Sequence, residues 1–279
     1  MDQKPVNPLS KHFRQPAIYM KLPSEGKFWP DGTLELPASG EIPVYPMTAR
    51  DEITIRTPDA LLNGQGVVDV IHSCCPNIKD AWKMPSVDSD AVLLNIRIAS
   101  YGNQMDFDTV CPHCQTENNF ALDLGILTGN LACPDYSTLL DVDGLKIKIK
   151  PQTYYDVNYA NQIAFTEQQI LRTVNDDNIS DDEKKITTDA YLSRLIDLNI
   201  QICANSTDSI TTEDGVAVTD AGFIKEFYNQ ADFKVMRKIQ DRLKELGAQA
   251  ELKPIDHNCP ECTKEYTVPL TFDYANFFA

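Results

Sequence analysis

Long hydrophobic runs are the first feature that this 279-residue sequence lacks. No segment approaches the roughly 18 consecutive apolar residues that cross a bilayer, so we expect no membrane span. The opening residues, MDQKPVNPLSKHFRQP, are polar and proline-rich, without the apolar stretch of a signal peptide. These absences predict a protein that is made and kept in a reducing cytoplasm, where thiols and metal sites are commoner than disulfides.

Clusters of positive charge are also missing. The chain has 25 Lys and Arg residues against 41 Asp and Glu residues, and its formal net charge is −16. The tightest basic group, Lys146, Lys148 and Lys150, alternates with leucine and isoleucine, which is typical of the exposed face of a strand. An acidic chain repels phosphate backbones, so we expect no nucleic-acid partner.

Catalytic signatures are the third absence. The sequence contains no GxSxG, HExxH or EF-hand loop. Gly64-x-Gly66 lacks both the Lys-Ser/Thr of a P-loop and the third glycine of a dinucleotide-binding turn. His72 lies in an apolar run, where a buried histidine is a better interpretation than a general base. No nucleophile is paired with a base, and we therefore expect a protein that is not an enzyme.

Two cysteine pairs carry the most informative pattern that is present. The segments CPHCQTENNFALDL (111–124) and CPECTKEYTVPLTF (259–272) align without a gap, and both begin Cys-Pro-x-Cys. Each predicts a tight turn that presents two thiolates, called a knuckle below, followed by a strand. We expect each strand to pair with the chain that precedes its knuckle, in a zinc-ribbon arrangement.

The spacing of these pairs predicts one structural Zn²⁺ per chain. Two cysteines separated by two residues can direct both sulfurs to one ion, and two such turns complete a tetrahedron. The 144 residues between the pairs (positions 115 to 258) form a long loop, but the entropy of closing a loop rises slowly with its length. Zinc bound to thiolates contributes roughly 10 kcal/mol or more in small domains. The predicted ligands are Cys111, Cys114, Cys259 and Cys262.

Two alternatives to this metal site remain open. A redox Cys-x-x-Cys normally follows a strand and precedes a helix, whereas both pairs here precede strands. The other alternative is two separate thiol pairs that bind no metal. His113 and His257 flank the ligands, and we expect them outside the coordination shell. The remaining cysteines are expected to be core thiols; they are Cys74, Cys75, Cys133 and Cys203.

The fold class predicted from these patterns is α+β. It comprises a helical core, a zinc-ribbon-like β element made of the two CPxC knuckles, and a small N-terminal β-hairpin region. We place the hairpin within residues 21–47, with its turn at Pro30-Asp31-Gly32, where proline presets φ and glycine tolerates positive φ.

Capping residues predict where the helices begin and end. In the first part of the chain, Thr48 begins a short helix that runs to Arg56, Thr57-Pro58 begins another, and Asp88 opens one that ends at Gly102. In the middle, a helix covers residues 155–174, Ser180 and Glu183 form a capping box before the next, Thr219 caps a third, and a fourth ends at Gly247. We read residues 145–149 as a strand and residues 206–215 as a polar loop.

Four regions follow from this pattern. Residues 1–20 form an extended arm, which could pack on the chain's own core or on a partner. Residues 21–125 hold the hairpin, the first helices and the first knuckle, and residues 126–255 form a mainly helical insertion. Residues 256–279 hold the second knuckle, a closing strand and an aromatic tail, and the two knuckles join into one domain. The tail could dock on its own domain or on another subunit.

Several segments together resemble a known family. They are YMKLPSEGKFWPDG, ELPASGEIPVYPMTARDE, VVDVIHSCCPNIKDAWKMPSVDSDAVLLNIRIASYG and the CPHC knuckle. This pattern is similar to the baseplate hub subunit and hub assembly proteins of T-even-type contractile-tailed phages (myoviruses). The resemblance covers roughly residues 19–125, and the closing CPEC gives it weaker support.

The resemblance implies a structural or assembly role in the baseplate hub of a phage tail. Implied partners are the hub and tape-measure proteins, in a multi-copy assembly that forms in the host cytoplasm and is retained in the virion tail baseplate. It implies no catalytic residue. One alternative is a tail-assembly chaperone for the tape-measure protein, absent from mature virions. Another is a zinc-ribbon nucleic-acid-binding regulator, which the charge of −16 opposes.

Overall fold

The computed structural model describes residues 7–57, 64–174, 180–270 and 277–278. These residues form a mixed fold of eight α-helices and ten short β-strands. The helices are α1 (Ala49–Ile55), α2 (Gln65–Cys74), α3 (Ser86–Tyr101), α4 (Leu124–Asn130), α5 (Tyr154–Val174), α6 (Asp181–Asn205), α7 (Ala221–Gln230) and α8 (Phe233–Ala250). The strands are β1 (Ile18–Lys21), β2 (Glu41–Val44), β3 (Gln104–Val110), β4 (Glu117–Asp123), β5 (Leu140–Val142), β6 (Leu145–Ile149), β7 (Thr207–Thr211), β8 (Ala217–Val218), β9 (Ile255–Asn258) and β10 (Glu265–Val268).

Local capping chemistry explains several helix ends. Thr48 caps α1 in a reciprocal capping box with Asp51, and Ser180 caps α6 in the same way with Glu183, as predicted. The helix predicted to begin at Thr57-Pro58 falls on residues 58–63, outside the described residues.

The predicted start of α3 was wrong by two residues. The helix begins at Ser86 and its N-cap is Pro85, so Asp88 lies within the first turn instead of opening the helix. Asp88 is fully buried. Its carboxylate accepts hydrogen bonds from the backbone N–H of Ser24 (2.8 Å), the hydroxyl of Ser24 (2.5 Å) and the indole N–H of Trp29 (2.8 Å). This buried carboxylate therefore ties the segment between β1 and β2 to α3.

The N-terminal β region differs from the predicted hairpin because Asp88 holds the segment between β1 and β2 against α3. The turn itself forms, because the N–H of Thr33 donates to the carbonyl of Pro30 and Gly32 has φ 78°. After this turn, Leu34 does not return to pair with the chain before the turn. It forms an isolated antiparallel β-bridge with Ile78, which follows α2. The antiparallel pair is β1 with β2, and residues 22–40 connect these strands.

A first core collects apolar side chains from both ends of the chain. It is built on β1, β2 and α1 to α4, and it also contains Leu270, Phe277 and Phe278. Phe277 and Phe278 are buried. Their carbonyls accept hydrogen bonds from Arg97 (3.2 Å) and Arg56 (3.4 Å). This part of the aromatic tail therefore docks on its own chain, which was one of the two alternatives left open.

A middle core lies between a four-stranded sheet and three helices. The sheet has the antiparallel order β5-β6-β7-β8, and α6, α7 and α8 pack against it. The members of this core are Val87, Tyr136, Val142, Ile147, Ile149, Ile200, Cys203, Ile210, Ile224, Tyr228, Val235, Ile239 and Leu246.

Three predictions for this middle region were wrong. Residues 206–215 contain strand β7, in which Ile210 is buried opposite Ile147 and Thr207 is buried as well. The N-cap of α7 is Asp220, which accepts the N–H of Phe223, and not Thr219. Helix α8 continues through Gly247 to Ala250. The strand predicted at 145–149 is confirmed as β6, and α5 begins one residue before the predicted position.

Within the described residues, no helix combines the length and apolar character that crossing a membrane requires.

Candidate metal centre

Two antiparallel β-hairpins present the four cysteines. The first is β3–β4, in which Val110 pairs with Glu117 across the connection 111–116. The second is β9–β10, in which Asn258 pairs with Glu265 across the connection 259–264. Each knuckle is therefore the turn of a hairpin, and the predicted pairing of each strand with the chain before its knuckle is confirmed.

The two knuckles share one backbone conformation. In each, the N–H of the first cysteine, Cys111 or Cys259, donates to the carbonyl five positions later, at 3.0 Å in both. The carbonyl of that cysteine accepts the N–H of the residue four positions later, Gln115 or Thr263, at 2.9 Å in both. These two residues have φ of 62° and 60°. The sequence echo therefore corresponds to a repeated structural unit.

The four cysteine sulfurs lie within 4.8 Å of one another. The Sγ atoms of Cys111 and Cys262 are 3.8 Å apart, and those of Cys114 and Cys259 are 3.6 Å apart. A tetrahedral zinc with Zn–S bonds of about 2.3 Å requires sulfurs about 3.8 Å apart, whereas a disulfide requires about 2.0 Å. The sulfurs are thiols, and their spacing fits a tetrahedral ion.

An apolar layer supports one side of this group. The knuckle cluster consists of Cys111, Cys259, Tyr266 and Val268, with Phe107, Phe120, Ile255 and Cys262 packed against it. Cys111 and Cys259 are fully buried, whereas Cys114 is exposed and Cys262 is half-buried. The first cysteine of each pair thus faces the interior, and the second lies nearer the solvent from which an ion would enter.

Asn118 is a polar contact between the hairpins that the sequence analysis missed. It is buried on β4. Its amide nitrogen donates to the hydroxyl of Tyr266 at 3.0 Å and lies 3.6 Å from the sulfur of Cys259. Both partners belong to the second hairpin, so this side chain connects the two hairpins next to the sulfurs. The feature of the sequence that could have identified this contact is an asparagine at an inward-facing position of a strand.

The two histidines lie outside the group of four sulfurs. His257 stacks on Phe120 with ring centroids 4.3 Å apart. His113 is exposed, and its Nε2 lies 3.4 Å from the carbonyl oxygen of Glu265.

Individual thiols in the knuckles have pKa values shifted in opposite directions. Backbone hydrogen bonds from Cys262 and Glu261, together with a side-chain hydrogen bond from Asn118, lower the pKa of Cys259 to about 6. The hydroxyl and backbone of Thr116 lower the pKa of Cys114. Although the backbone N–H of Lys264 favours its thiolate, desolvation and the neighbouring cysteines raise the pKa of Cys262 to about 11. A divalent cation would offset the cost of holding several thiolates together.

The other cysteines have the character of core thiols. Cys74 and Cys75 belong to the first core and Cys203 to the middle core. Burial raises the pKa of Cys74 to about 12 and that of Cys203 to about 11. Cys133 is half-buried against the middle core. His72 accepts the backbone N–H of Ala81 at 3.0 Å, as expected of a hydrogen-bonded structural residue, but it is half-buried where we expected a buried side chain.

Comparison with known protein families gives one match. A family model described as T4 bacteriophage base plate protein matches residues 17–279, a span that includes all four clustered cysteines. The chain belongs to this base plate protein family. Comparisons of the base plate protein with curated proteins and with solved structures gave no significant match.

Membership of this family indicates the general role of the protein. It supports a structural role in the tail baseplate, interaction with other phage tail proteins and a location in the virion tail baseplate. The matched region contains the first core, the middle core and both knuckles, while residues 7–16 of the base plate protein lie before it.

Proposed function

We propose that this protein is a non-enzymatic structural or assembly component of the baseplate hub of a contractile phage tail. We further propose that one structural Zn²⁺, held by Cys111, Cys114, Cys259 and Cys262, clamps it. Family membership supports the baseplate, and the resemblance over residues 19–125 supports the hub. The observation that supports the zinc site is the grouping of four sulfurs at tetrahedral spacing.

The ion would act as a cross-link between two hairpins. A zinc ion with four protein thiolates has no open coordination position and serves a structural purpose. The hairpins β3–β4 and β9–β10 come from distant parts of the chain, and Asn118 and the apolar knuckle cluster already hold them together. The ion would fix their separation, giving neighbouring tail proteins a rigid surface to bind.

Proposed partners are the hub and tape-measure proteins, in a multi-copy assembly that forms in the host cytoplasm. Nucleic acid is not among them, because exposed acidic side chains lie on both cysteine-bearing hairpins and would repel phosphates. These side chains are Asp106, Asp108, Glu117, Glu261 and Glu265. The division into an arm, two knuckle-bearing regions and a helical insertion stays a prediction.

Metal analysis tests the clamp. Protein purified without added zinc should contain one zinc per chain by inductively coupled plasma mass spectrometry. Cys259→Ser should lose the metal, while Glu261→Gln, an exposed position in the same knuckle, should retain it. A metal-free wild-type protein with four reactive knuckle thiols would contradict the zinc site.

Proteomics of purified particles tests the hub. The protein should be found in mature virions and in isolated baseplates, together with hub proteins. Detection only in infected cells, bound to the tape-measure protein and absent from particles, would contradict retention in the hub and favour the chaperone alternative.

A further inference from the structure

The two knuckles repeat one unit, but one pair of equivalent positions just beyond them differs in chemistry. Asn118 is the second residue of β4, and Tyr266 is the second residue of β10. Each therefore follows the first cysteine of its knuckle, Cys111 or Cys259, by the same number of positions. Both side chains are buried, and they contact each other between the hairpins. The unit is thus repeated in its backbone and altered where its two copies meet.

The side-chain amide of Asn118 serves two partners. An asparagine amide carries two N–H donors on one nitrogen. In Asn118 this nitrogen lies 3.0 Å from the hydroxyl oxygen of Tyr266 and 3.6 Å from the sulfur of Cys259. The amide oxygen lies farther from the same sulfur, at 3.9 Å. This arrangement gives each N–H an acceptor of its own, and one of the two acceptors is a sulfur of the proposed metal site.

The sulfur of Cys111 has no matching donor. In the described part of the chain, the side chains within hydrogen-bond distance of this sulfur are those of other cysteines. Tyr266 occupies the position equivalent to Asn118, but its hydroxyl accepts the N–H of Asn118. One knuckle therefore has a side-chain N–H donor to its buried sulfur, and the other knuckle has none.

Burial makes this hydrogen bond relevant to a metal ion. Asn118 is 5% exposed and Cys259 is 1% exposed, so the contact between them is shielded from water. A hydrogen bond to an ionised sulfur is charge-assisted, and it is stronger where the local dielectric is low. Donors to the ligands of an ion hold those ligands in orientation, and removing one such donor typically lowers metal affinity about 10- to 100-fold.

We propose that Asn118 is a positioning residue for the metal ion, and that its N–H holds the thiolate of Cys259 in the direction that coordination by four sulfurs requires. This inference rests on the zinc site proposed above and extends it to a residue that is not a ligand. The donor also withdraws electron density from the sulfur of Cys259, so the two knuckles bind the ion unequally. Co²⁺ and Cd²⁺, which accept the same thiolate ligands, can stand in for Zn²⁺ in the tests.

Substitutions at Asn118 and Tyr266 separate this role from the joining of the two hairpins. Asn118→Leu keeps a branched side chain without an N–H, and it should lower the affinity for Co²⁺ about 10- to 100-fold in competition with a chelator. Tyr266→Phe removes the contact between the hairpins but keeps the N–H to the sulfur, so it should lower this affinity far less. Asn119→Leu, at the exposed next position of the same strand, is the matched control. Equal losses in Asn118→Leu and Tyr266→Phe would overturn the proposal.

Spectroscopy reports the hydrogen bond itself. Loss of the donor raises the energy of the sulfur electrons, so the sulfur-to-cobalt charge-transfer bands of Asn118→Leu should move to longer wavelength. In wild-type protein loaded with a spin-active isotope of cadmium, nuclear magnetic resonance should detect a scalar coupling between the metal and the side-chain N–H of Asn118, transmitted through the sulfur. This second measurement needs no variant to fold. Wild-type protein that binds neither ion would overturn the zinc clamp and this inference with it. Metal binding without such a coupling, and with unmoved bands in the variant, would overturn only the role of Asn118.

Discussion

The two main cores of this protein are assembled in different ways. Among the described residues, the buried side chains of the middle core lie within residues 136–246, with Val87 as the one member from elsewhere. The first core combines residues 20–127 with Tyr154, Leu270, Phe277 and Phe278. The middle core can thus form through contacts within one stretch of chain. The first core also needs contacts between residues that are separated by more than half of the sequence. Bringing such distant segments together, called the closure below, costs more loop entropy.

That closure has two parts. The sulfurs of Cys111, Cys114, Cys259 and Cys262 lie together between the two hairpins, and the buried phenylalanines at 277 and 278 fill the first core. We therefore expect stability to be divided unequally: damage to the closure should loosen the first core and the knuckles, while the middle core keeps its structure.

Cys259→Ser should have the largest effect. The variant would leave the proposed zinc shell incomplete, and we expect the free energy of unfolding to fall by several kcal/mol, since zinc–thiolate sites contribute roughly 10 kcal/mol or more. Hydrogen exchange should speed up in β3–β4 and β9–β10 and change little in the middle sheet. Glu261→Gln is the matched control, and an unchanged melting temperature in Cys259→Ser would refute the clamp.

Phe278→Ala should come next. The side chain is almost fully buried, and removing a buried phenylalanine costs about 3–5 kcal/mol. Urea denaturation combined with hydrogen exchange should assign this loss to the first core. Phe165→Ala, at a half-exposed position, should cost far less. Equal loosening of both cores would show that the protein unfolds as one unit and would contradict an unequal division of stability between them.

Tyr228→Phe should weaken the middle core alone. The phenolic hydroxyl lies 2.8 Å from the hydroxyl of Thr207, and Thr207 also donates to the carbonyl of Cys203. The variant therefore leaves Thr207 with a partner, and we expect a loss of about 1 kcal/mol. Faster hydrogen exchange in α1 to α3 would contradict the separation of the two cores.

The same variant changes the response to alkali. Burial raises the pKa of Tyr228 to about 12, above the ordinary value near 10. Between about pH 10 and pH 12 the unfolded chain releases a proton that the folded chain keeps, so the free energy of unfolding falls as pH rises. Tyr228→Phe should fall less steeply over this interval, as measured by urea denaturation at each pH. Parallel curves would mean that Tyr228 ionises equally in both states.

Asp208→Asn should have the smallest effect. The carboxylate pairs with Lys148 across β6 and β7 at 2.9 Å, and both side chains are well exposed. Exposed pairs contribute about 0.5 kcal/mol or less, and salt screens them. Thermal unfolding at low and high salt should therefore converge for the variant and the wild type. A loss above about 2 kcal/mol would mean that this sheet depends on surface charge more than on its core.

Local chemistry is what could be predicted from the sequence. The helix starts at Thr48 and Ser180 depend on residues three positions away, and the two knuckles repeat one short motif. The grouping of four cysteines followed from ligand chemistry, although the ion itself stays a proposal. These features need no knowledge of the rest of the fold.

Contacts between distant residues explain what was missed. The connection from β1 to β2 depends on Asp88, which lies 64 residues beyond Ser24. The position of Asn118 depends on Tyr266, 148 residues away. Strand β7 is rich in threonine and serine, and only its pairing with β6 shows that Ile210 is buried. No local pattern in the sequence contains these relations.

The route of the chain through the first core has a consequence for its synthesis. A ribosome makes residues 20–127 early, but Leu270, Phe277 and Phe278, which complete their core, emerge only after the middle region. Domains that form during translation usually fold in order from the N-terminus. Here we expect the middle region to fold first. Residues 20–127 should stay incompletely folded, with apolar side chains exposed, until the C-terminal residues of their core have been made. A chain truncated after residue 250 should therefore display a folded middle and a protease-sensitive beginning.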